Sequence, residues 1–385
     1  MTAPTTWPDR LERLAHGTID FHTHAIDPEL PDIGATYRGS FPRVERTGER
    51  SARIIVDGRG YRDIDDACWS ADTRVSDMDA EGIAVQVLSP IPVTLCHEQP
   101  ASGAAILARA QNDFLATLVA SAPQRFLALG TVPMQDPPSA IRELTRCITE
   151  LGFVGVEIGT RVGEFDLTDA RFRPFFDAAS SLSAVIFIHP VDRDVDPRVT
   201  NLGLGFGVGM PTETATAAAA LLAAGVVQAA RGARFVLAHG AGALPALLPR
   251  LDQGQRLAAH RAGAERLSDA ARRLWCDSLT YDAASLQLAL QRFGAGHVVL
   301  GTDYPFAARE HPAGEVLTHL DPPLQRRIGT TNACALCSDV RHHLSRRHVS
   351  EMTDPTVNRS GTIAHISNRV DVVTDVADQE GHPRL

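Results

Sequence analysis

The sequence predicts an α/β protein closed as a (β/α)8 barrel, on three observations. Eight short runs rich in Val, Ile, Leu or Phe recur along the chain, each the length of a strand buried on both faces. Stretches with helical periodicity separate them, which points to parallel strands joined by crossover helices. The chain has 385 residues, enough for one barrel of roughly 250 residues with additions.

Thr18–His24 is the first strand. Residues 27–65 then interrupt the alternation. They are rich in Pro, Gly and Arg, and Asp57-Gly58 separates the short runs Arg53–Val56 and Gly60–Ile64. Asp-Gly between such runs is a hairpin signal, so a small β insertion is expected over one end of the barrel. Ala84–Ser89 resumes the pattern, followed by a helix over Ala104–Ser121 and a strand over Phe126–Pro133. Pro137-Pro138 opens the helix Ser139–Leu151 and Gly152 closes it, the usual asymmetry of helix ends. The strand Val154–Gly159, the helix Ala170–Leu182 and the strand Ala184–His189 come next. A long helix over Thr212–Ala230 leads to the strands Arg234–His239 and Leu274–Leu279. The helix Ala284–Phe293, closed by Gly294, precedes the last strand, His297–Thr302. The expected barrel domain is therefore 1–337, insertion included. Residues 338–385 are polar, lack a helical period and read as a surface extension.

Composition narrows the function. Hydrophobic residues make up 44% and charged residues 22% of the chain, the balance of a soluble globular protein. With 37 basic against 46 acidic residues the net charge is −9, which argues against a nucleic-acid or anionic-membrane partner. The chain has no lysine. Schiff-base, pyridoxal-phosphate and P-loop lysines are thereby excluded, as is a metal pair bridged by a carboxylated lysine. Six scattered cysteines fit free thiols in a reducing compartment, and Cys334-x-x-Cys337 stands alone in an Ala/Leu context that reads as packing. The first 16 residues are polar with no apolar core, so a cytoplasmic protein is expected. The longest apolar run, Ala217–Val227, is too short to span a membrane.

Chemistry gathers at strand ends. His22 and His24 lie two apart on the first strand, so both rings point to one side. His189 ends the fifth strand, His239 ends the sixth, and Asp303 follows the eighth. The C-terminal ends of barrel strands are where catalytic residues sit. Three imidazoles and a carboxylate suit one divalent ion, Zn²⁺ first, with Mn²⁺ or Fe²⁺ as the other choices.

The stretches His22-Thr23-His24, His189-Pro190, Ala238-His239-Gly240 and Gly301-Thr302-Asp303-Tyr304-Pro305-Phe306 resemble the amidohydrolase superfamily. Dispersed matches such as Leu129-Gly130-Thr131, Pro133-Met134-Gln135 and Val208-Gly209-Met210-Pro211 resemble its aminocarboxymuconate-semialdehyde decarboxylase branch. The resemblance implies a mononuclear site in which His22, His24, His189 and Asp303 bind the metal and His239 moves protons by activating metal-bound water. It also implies that Arg62 binds a substrate carboxylate and that Arg250 is delivered into the neighbouring subunit of a homodimer. A guanidinium suits that task because it grips a carboxylate bidentately. The expected activity is non-oxidative decarboxylation of a small unsaturated or aromatic carboxylate. A hydrolase or hydratase acting on a ring-cleavage product is the alternative on the same residues. The chain departs from the branch where substrate fits: Thr94-Leu95-Cys96-His97-Glu98 replaces an aromatic-rich segment, while Val191 and Phe206 stand where tryptophans are expected. Phe206 is thus an expected pocket residue, and His97 and Glu98 read as loop residues or substrate contacts.

Overall fold

The computed structural model describes residues 17–258 and 265–337, and the expected extension over 338–385 lies outside them. Eight strands form one parallel sheet: β1 (Thr18–Ala25), β2 (Ile83–Pro90), β3 (Phe126–Thr131), β4 (Gly155–Ile158), β5 (Val185–Ile188), β6 (Arg234–Leu237), β7 (Trp275–Asp277) and β8 (Val298–Val299). Each pairs with its sequence neighbour. The last segment closes on the first: Phe21 N–H donates to the Leu300 carbonyl at 2.8 Å, and Asp303 N–H donates to the His22 carbonyl at 2.9 Å. A parallel bridge joins Thr23 to Tyr304. The barrel is closed.

The strands are apolar because both faces are covered. Every residue of β3, β4 and β5 is buried, as near-continuous apolar runs require. Helices surround the sheet, with bounds close to those expected: Ala101–Ser121, Pro137–Thr149 and Ala283–Phe293. Two differ. The expected helix over Thr212–Ala230 is split at Gly225 into Met210–Ala223 and Val226–Ala229, and that over Ala170–Leu182 begins with one 3-10 turn. Among the described residues no helix is long and apolar enough to cross a membrane.

The insertion is a three-stranded antiparallel sheet, Arg43–Arg46, Ser51–Val56 and Arg59–Asp65. Asp57 and Gly58 make its hairpin turn with φ of 53° and 71°, the left-handed pair that such a turn demands. Ala52, Ile54 and Val56 alternate along the central strand and pack with Ile64, Ile91 and Val93 in a second apolar cluster. That period of two fixes which face of the insertion meets the barrel rim. Arg62 pairs with Ile54 in the register, so it belongs to the inward face.

Candidate metal centre

His22 and His24 project from β1 to the same side, and each ring is turned by a partner on its outer nitrogen. His24 Nδ1 donates to the Pro90 carbonyl at 2.8 Å and His189 Nδ1 to the Pro190 carbonyl at 2.7 Å. A carbonyl only accepts, so each Nδ1 carries the hydrogen and each Nε2 presents a lone pair inward. His22 Nδ1 faces Asp277 Oδ2 at 2.7 Å, which orients its ring in the same way. His22 Nε2 is then 3.0 Å from His24 Nε2. Asp303 Oδ1 lies 3.2 Å from His24 Nε2 and 3.5 Å from His22 Nε2. His239 Nε2 is 4.0 Å from Asp303 Oδ2. Donor atoms of His22, His189, His239 and Asp303 all lie within 4.8 Å of one another.

These groups need protons or a cation to join them. His189 Nε2 and Asp303 Oδ1 are buried with no hydrogen-bond partner, and the facing Nε2 atoms of His22 and His24, 3.0 Å apart, can share only one proton between them. Buried acceptors without donors are costly, and a divalent ion among them satisfies all at once. The residues fit a metal. The outer hydrogen bonds that the imidazoles donate to Asp277, Pro90 and Pro190 are the kind that orient metal-binding histidines.

Burial sets the charge states. It lowers the pKa of His24 and His189, and pushes that of His239 down to about 4 with help from His22; all three are neutral at pH 7. For His22 burial is outweighed by the hydrogen bond and charge of Asp277, which raise its pKa to about 9. A metal ion must therefore displace a proton there. Burial works against ionised Asp303, yet His24, His22 and His239 hold its carboxyl below the usual range. Glu157, at the end of β4, is fully buried with neither oxygen hydrogen-bonded, and burial raises it to about 8.

Two residues of the centre carry backbone strain. His239 and Asp303 take left-handed φ of 58° and 67°, unfavourable by about 1–2 kcal/mol for residues with a Cβ. Asp277 holds the first in place, accepting from His239 N–H at 2.9 Å and Gly240 N–H at 2.7 Å. The His22 carbonyl holds the second. Asp277 thus orients one histidine by its ring and another by its backbone.

A cleft of about 570 Å³ opens over the centre and is lined by His189, Asp303, Arg62, Asp192, Phe206 and Phe306. Phe306 stacks on His24 at 5.3 Å, and the Arg62 guanidinium carbon lies 4.3 Å from the centroid of the Phe306 ring. Arg62 Nη2 is 3.9 Å from Asp192 Oδ2. Phe206 is 57% exposed and faces Tyr281 at 6.3 Å. Arg250 is exposed on the helix Leu244–Leu257 and is not among the residues lining its own cleft.

Other sequence candidates fall away from the cleft. Cys96 is buried, donates to the Val93 carbonyl at 3.5 Å, and is pushed well above the usual thiol range; it is no nucleophile. His97 is a loop residue, in a turn, but it is buried rather than exposed, and neither ring nitrogen has a hydrogen-bond partner. Glu98 pairs with Arg193 at 3.5 Å. Cys334 is half-buried and Cys337 is buried. Sequence reasoning missed Asp277, Glu157 and Asp192. Each is a single carboxylate in or just past a strand, a pattern without spacing to mark it; the last residue of a β7 run otherwise apolar was the one available signal for Asp277.

A closed (β/α)8 barrel that gathers histidines and an aspartate at the C-terminal rim is the architecture of metal-dependent barrel enzymes. The amidohydrolase family model matches residues 19–336, and the chain belongs to that family. It is 33% identical over 303 residues to the 2-amino-3-carboxymuconate-6-semialdehyde decarboxylase of Dictyostelium discoideum, covering 78% of this chain and 84% of that one. It is 30% identical over 289 residues to the gamma-resorcylate decarboxylase of Rhizobium radiobacter, covering 68% of this chain and 85% of that protein. Its fold matches the dihydroxybenzoic acid decarboxylase of Polaromonas sp. JS666, solved with bound manganese and 2-nitroresorcinol, with a TM-score of 0.66 at 24% identity over 84% of this chain and 97% of that one.

Proposed function

We propose that this protein is a metal-dependent, non-oxidative decarboxylase of a small unsaturated or aromatic carboxylate. The observation that carries the reading is the convergence of nitrogen and carboxylate atoms of His22, His24, His189 and Asp303 at the floor of a cleft, with His189 Nε2 and Asp303 Oδ1 buried and without a hydrogen-bond partner. In this reading those four residues hold one divalent ion. Manganese in the Polaromonas relative makes Mn²⁺ as reasonable a choice as Zn²⁺. When bound, the ion supplies Lewis-acid stabilisation of charge developing on the substrate.

The remaining steps belong to the chain. Arg62, the arginine lining the cleft among the described residues, grips the substrate carboxylate. Phe306 and Phe206 provide apolar walls that suit a flat, conjugated substrate and exclude water. His239 carries the proton. Breaking the carbon–carbon bond releases carbon dioxide and leaves the electron pair on the substrate carbon, which a proton must meet. Neutral at pH 7, His239 takes a proton from the substrate side and returns it to that carbon. Two observations favour His239 over the other histidines: its side chain is 12% exposed where those of His22 and His24 are sealed, and no hydrogen bond fixes its ring among the described residues. Arg250 completes the carboxylate grip from a second copy of the chain.

The test is carbon dioxide release. Metal-loaded protein is screened anaerobically, without nicotinamide, on carboxymuconate semialdehydes and hydroxybenzoates. The expected result is stoichiometric carbon dioxide, abolished by chelation and restored by adding metal back. Hydrolysis or hydration without carbon dioxide would transfer the assignment to the other chemistry of the family. Full activity in metal-free protein would remove the metal from the reading.

A further inference from the structure

Two adjacent charged residues, Asp192 and Arg193, follow His189-Pro190-Val191, and both reach the β insertion. Arg193 Nη2 donates to Ser40 Oγ at 3.0 Å and to Asp57 Oδ2 at 3.2 Å. Its Nη1 donates to the Ser40 carbonyl at 3.4 Å and lies 3.5 Å from Glu98 Oε1. Ser40 in turn donates to Asp57. Asp57 is the first residue of the hairpin turn, and the strand that leaves the turn carries Arg62. One position earlier, Asp192 accepts the Tyr61 hydroxyl and faces Arg62. Neighbours on a regular strand point to opposite faces. Here the register shifts between Ile54 and Ile55, opposite Tyr61, and the resulting bulge brings Tyr61 and Arg62 to the same carboxylate.

We infer that Arg193 is a positioning residue for Arg62. It fastens the hairpin tip to the loop that leaves His189, and so fixes the span between the carboxylate grip and the metal centre. Ion pairs this exposed add little to global stability; their consequence here is geometric. One planar guanidinium contacts Ser40, Asp57 and Glu98 together through a fixed fork of donors, which the point charge of an ammonium does not reproduce. The insertion is also attached by its apolar underside, by the Tyr61 hydroxyl on Asp192 and by the Ser40 N–H, which donates to Gln99 Oε1. Arg193, however, is the side chain that ties the hairpin tip to the loop after His189. The inference rests on the reading of Arg62 as the carboxylate binder.

The experiment compares Arg193→Ala, Arg193→Lys, Arg62→Ala and the double variant as metal-loaded protein. Hydrogen exchange is followed at the amides of residues 57–65. Affinity is measured by calorimetry for the tightest-binding carboxylate of the screen above, whether or not it is turned over. Arg193→Ala should speed exchange in that segment and weaken binding about tenfold, with metal content unchanged. Arg193→Lys should recover part of both. In the Arg62→Ala background the further change to Ala at 193 should cost no more affinity. Unchanged exchange would overturn the clamp. A full additional loss on top of Arg62→Ala would show that Arg193 acts elsewhere and overturn the inference too. If Arg62→Ala binds normally while Arg193→Ala still exchanges faster, the inference also fails, and the fault lies in the reading of Arg62.

Discussion

His189 and His239 face the same aspartate but are held differently. The His189 ring is locked by the Pro190 carbonyl at 2.7 Å, with its inner nitrogen buried and unpartnered. The His239 ring has no such lock, and its nearest carboxylate oxygen is 4.0 Å away. His189→Ala should therefore lose the metal, whereas His239→Ala should keep metal stoichiometry and lose about 10²-fold or more in turnover. Metal analysis beside carbon dioxide release separates the two; equal metal loss would make His239 a ligand. A second residue reports on acid stability. Burial depresses His97 to about 4, below its unfolded value near 6.5. Below pH 6.5 the unfolded chain takes a proton that folded His97 refuses, so this stability is full above pH 6.5 and is lost as pH falls towards 4. The slope is about 1.4 kcal/mol per pH unit, about 3 kcal/mol across the window. Urea midpoints at pH 7 and pH 5 should differ less for His97→Gln than for the parent at equal metal loading. At this scale the sequence shows side chains with a motif and hides those without one. His22-x-His24 and Asp303 stand out by spacing and strand position, while Asp277, which orients His22 and His239 together, is one carboxylate in an apolar run.

The strand ends determine how closely these residues approach, and Gly301, just past β8, sits tightly between two of them. A Cβ on Gly301 would lie 2.7 Å from the Cβ atoms of both His22 and Asp277, the pair whose hydrogen bond sets the His22 ring. Gly301→Ala should wedge them apart and weaken metal binding by about tenfold or more. Competition against a chelator measures the loss, and an unchanged far-UV spectrum distinguishes it from unfolding; normal affinity would mean that β8 yields without moving His22. Elements with a strong period were legible in the sequence, including the barrel strands, the capped helices and the Asp57-Gly58 hairpin. Those without one were not. Arg43–Arg46 adds a third strand to the insertion with Val44 as its one apolar residue, too little to show alternation. The expected strand His297–Thr302 is regular over Val298–Val299 alone, because the chain then turns from β7 to meet β1 through Leu300 and Asp303.

Across the whole molecule, the unusual surface lies beside the cleft. Leu202, Leu204, Phe206 and Val208 are exposed at 64%, 46%, 57% and 45%, a run of apolar side chains that water does not favour. Leu247 is exposed on the helix that carries Arg250, and Arg250 is itself exposed and does not line the cleft of its own chain. These features suit the proposed homodimer in which Arg250 enters the partner's cleft opposite Arg62. One chain would then hold the metal ligands and half of the carboxylate grip. A mixing experiment decides this without a structure of the dimer. Arg250→Ala retains the metal but donates no arginine; His22→Ala lacks the metal but still donates Arg250. Each alone should be nearly inactive. Refolded together they should form mixed dimers in which the Arg250→Ala subunit keeps its metal and receives Arg250 from its partner, one complete site in two. Activity should return towards half of the parent's within the mixed fraction, as read by carbon dioxide release from dimers whose composition is checked by mass. If Arg250 served its own chain, neither subunit of a mixed dimer could be complete, and verified mixed dimers would stay as inactive as the two variants apart.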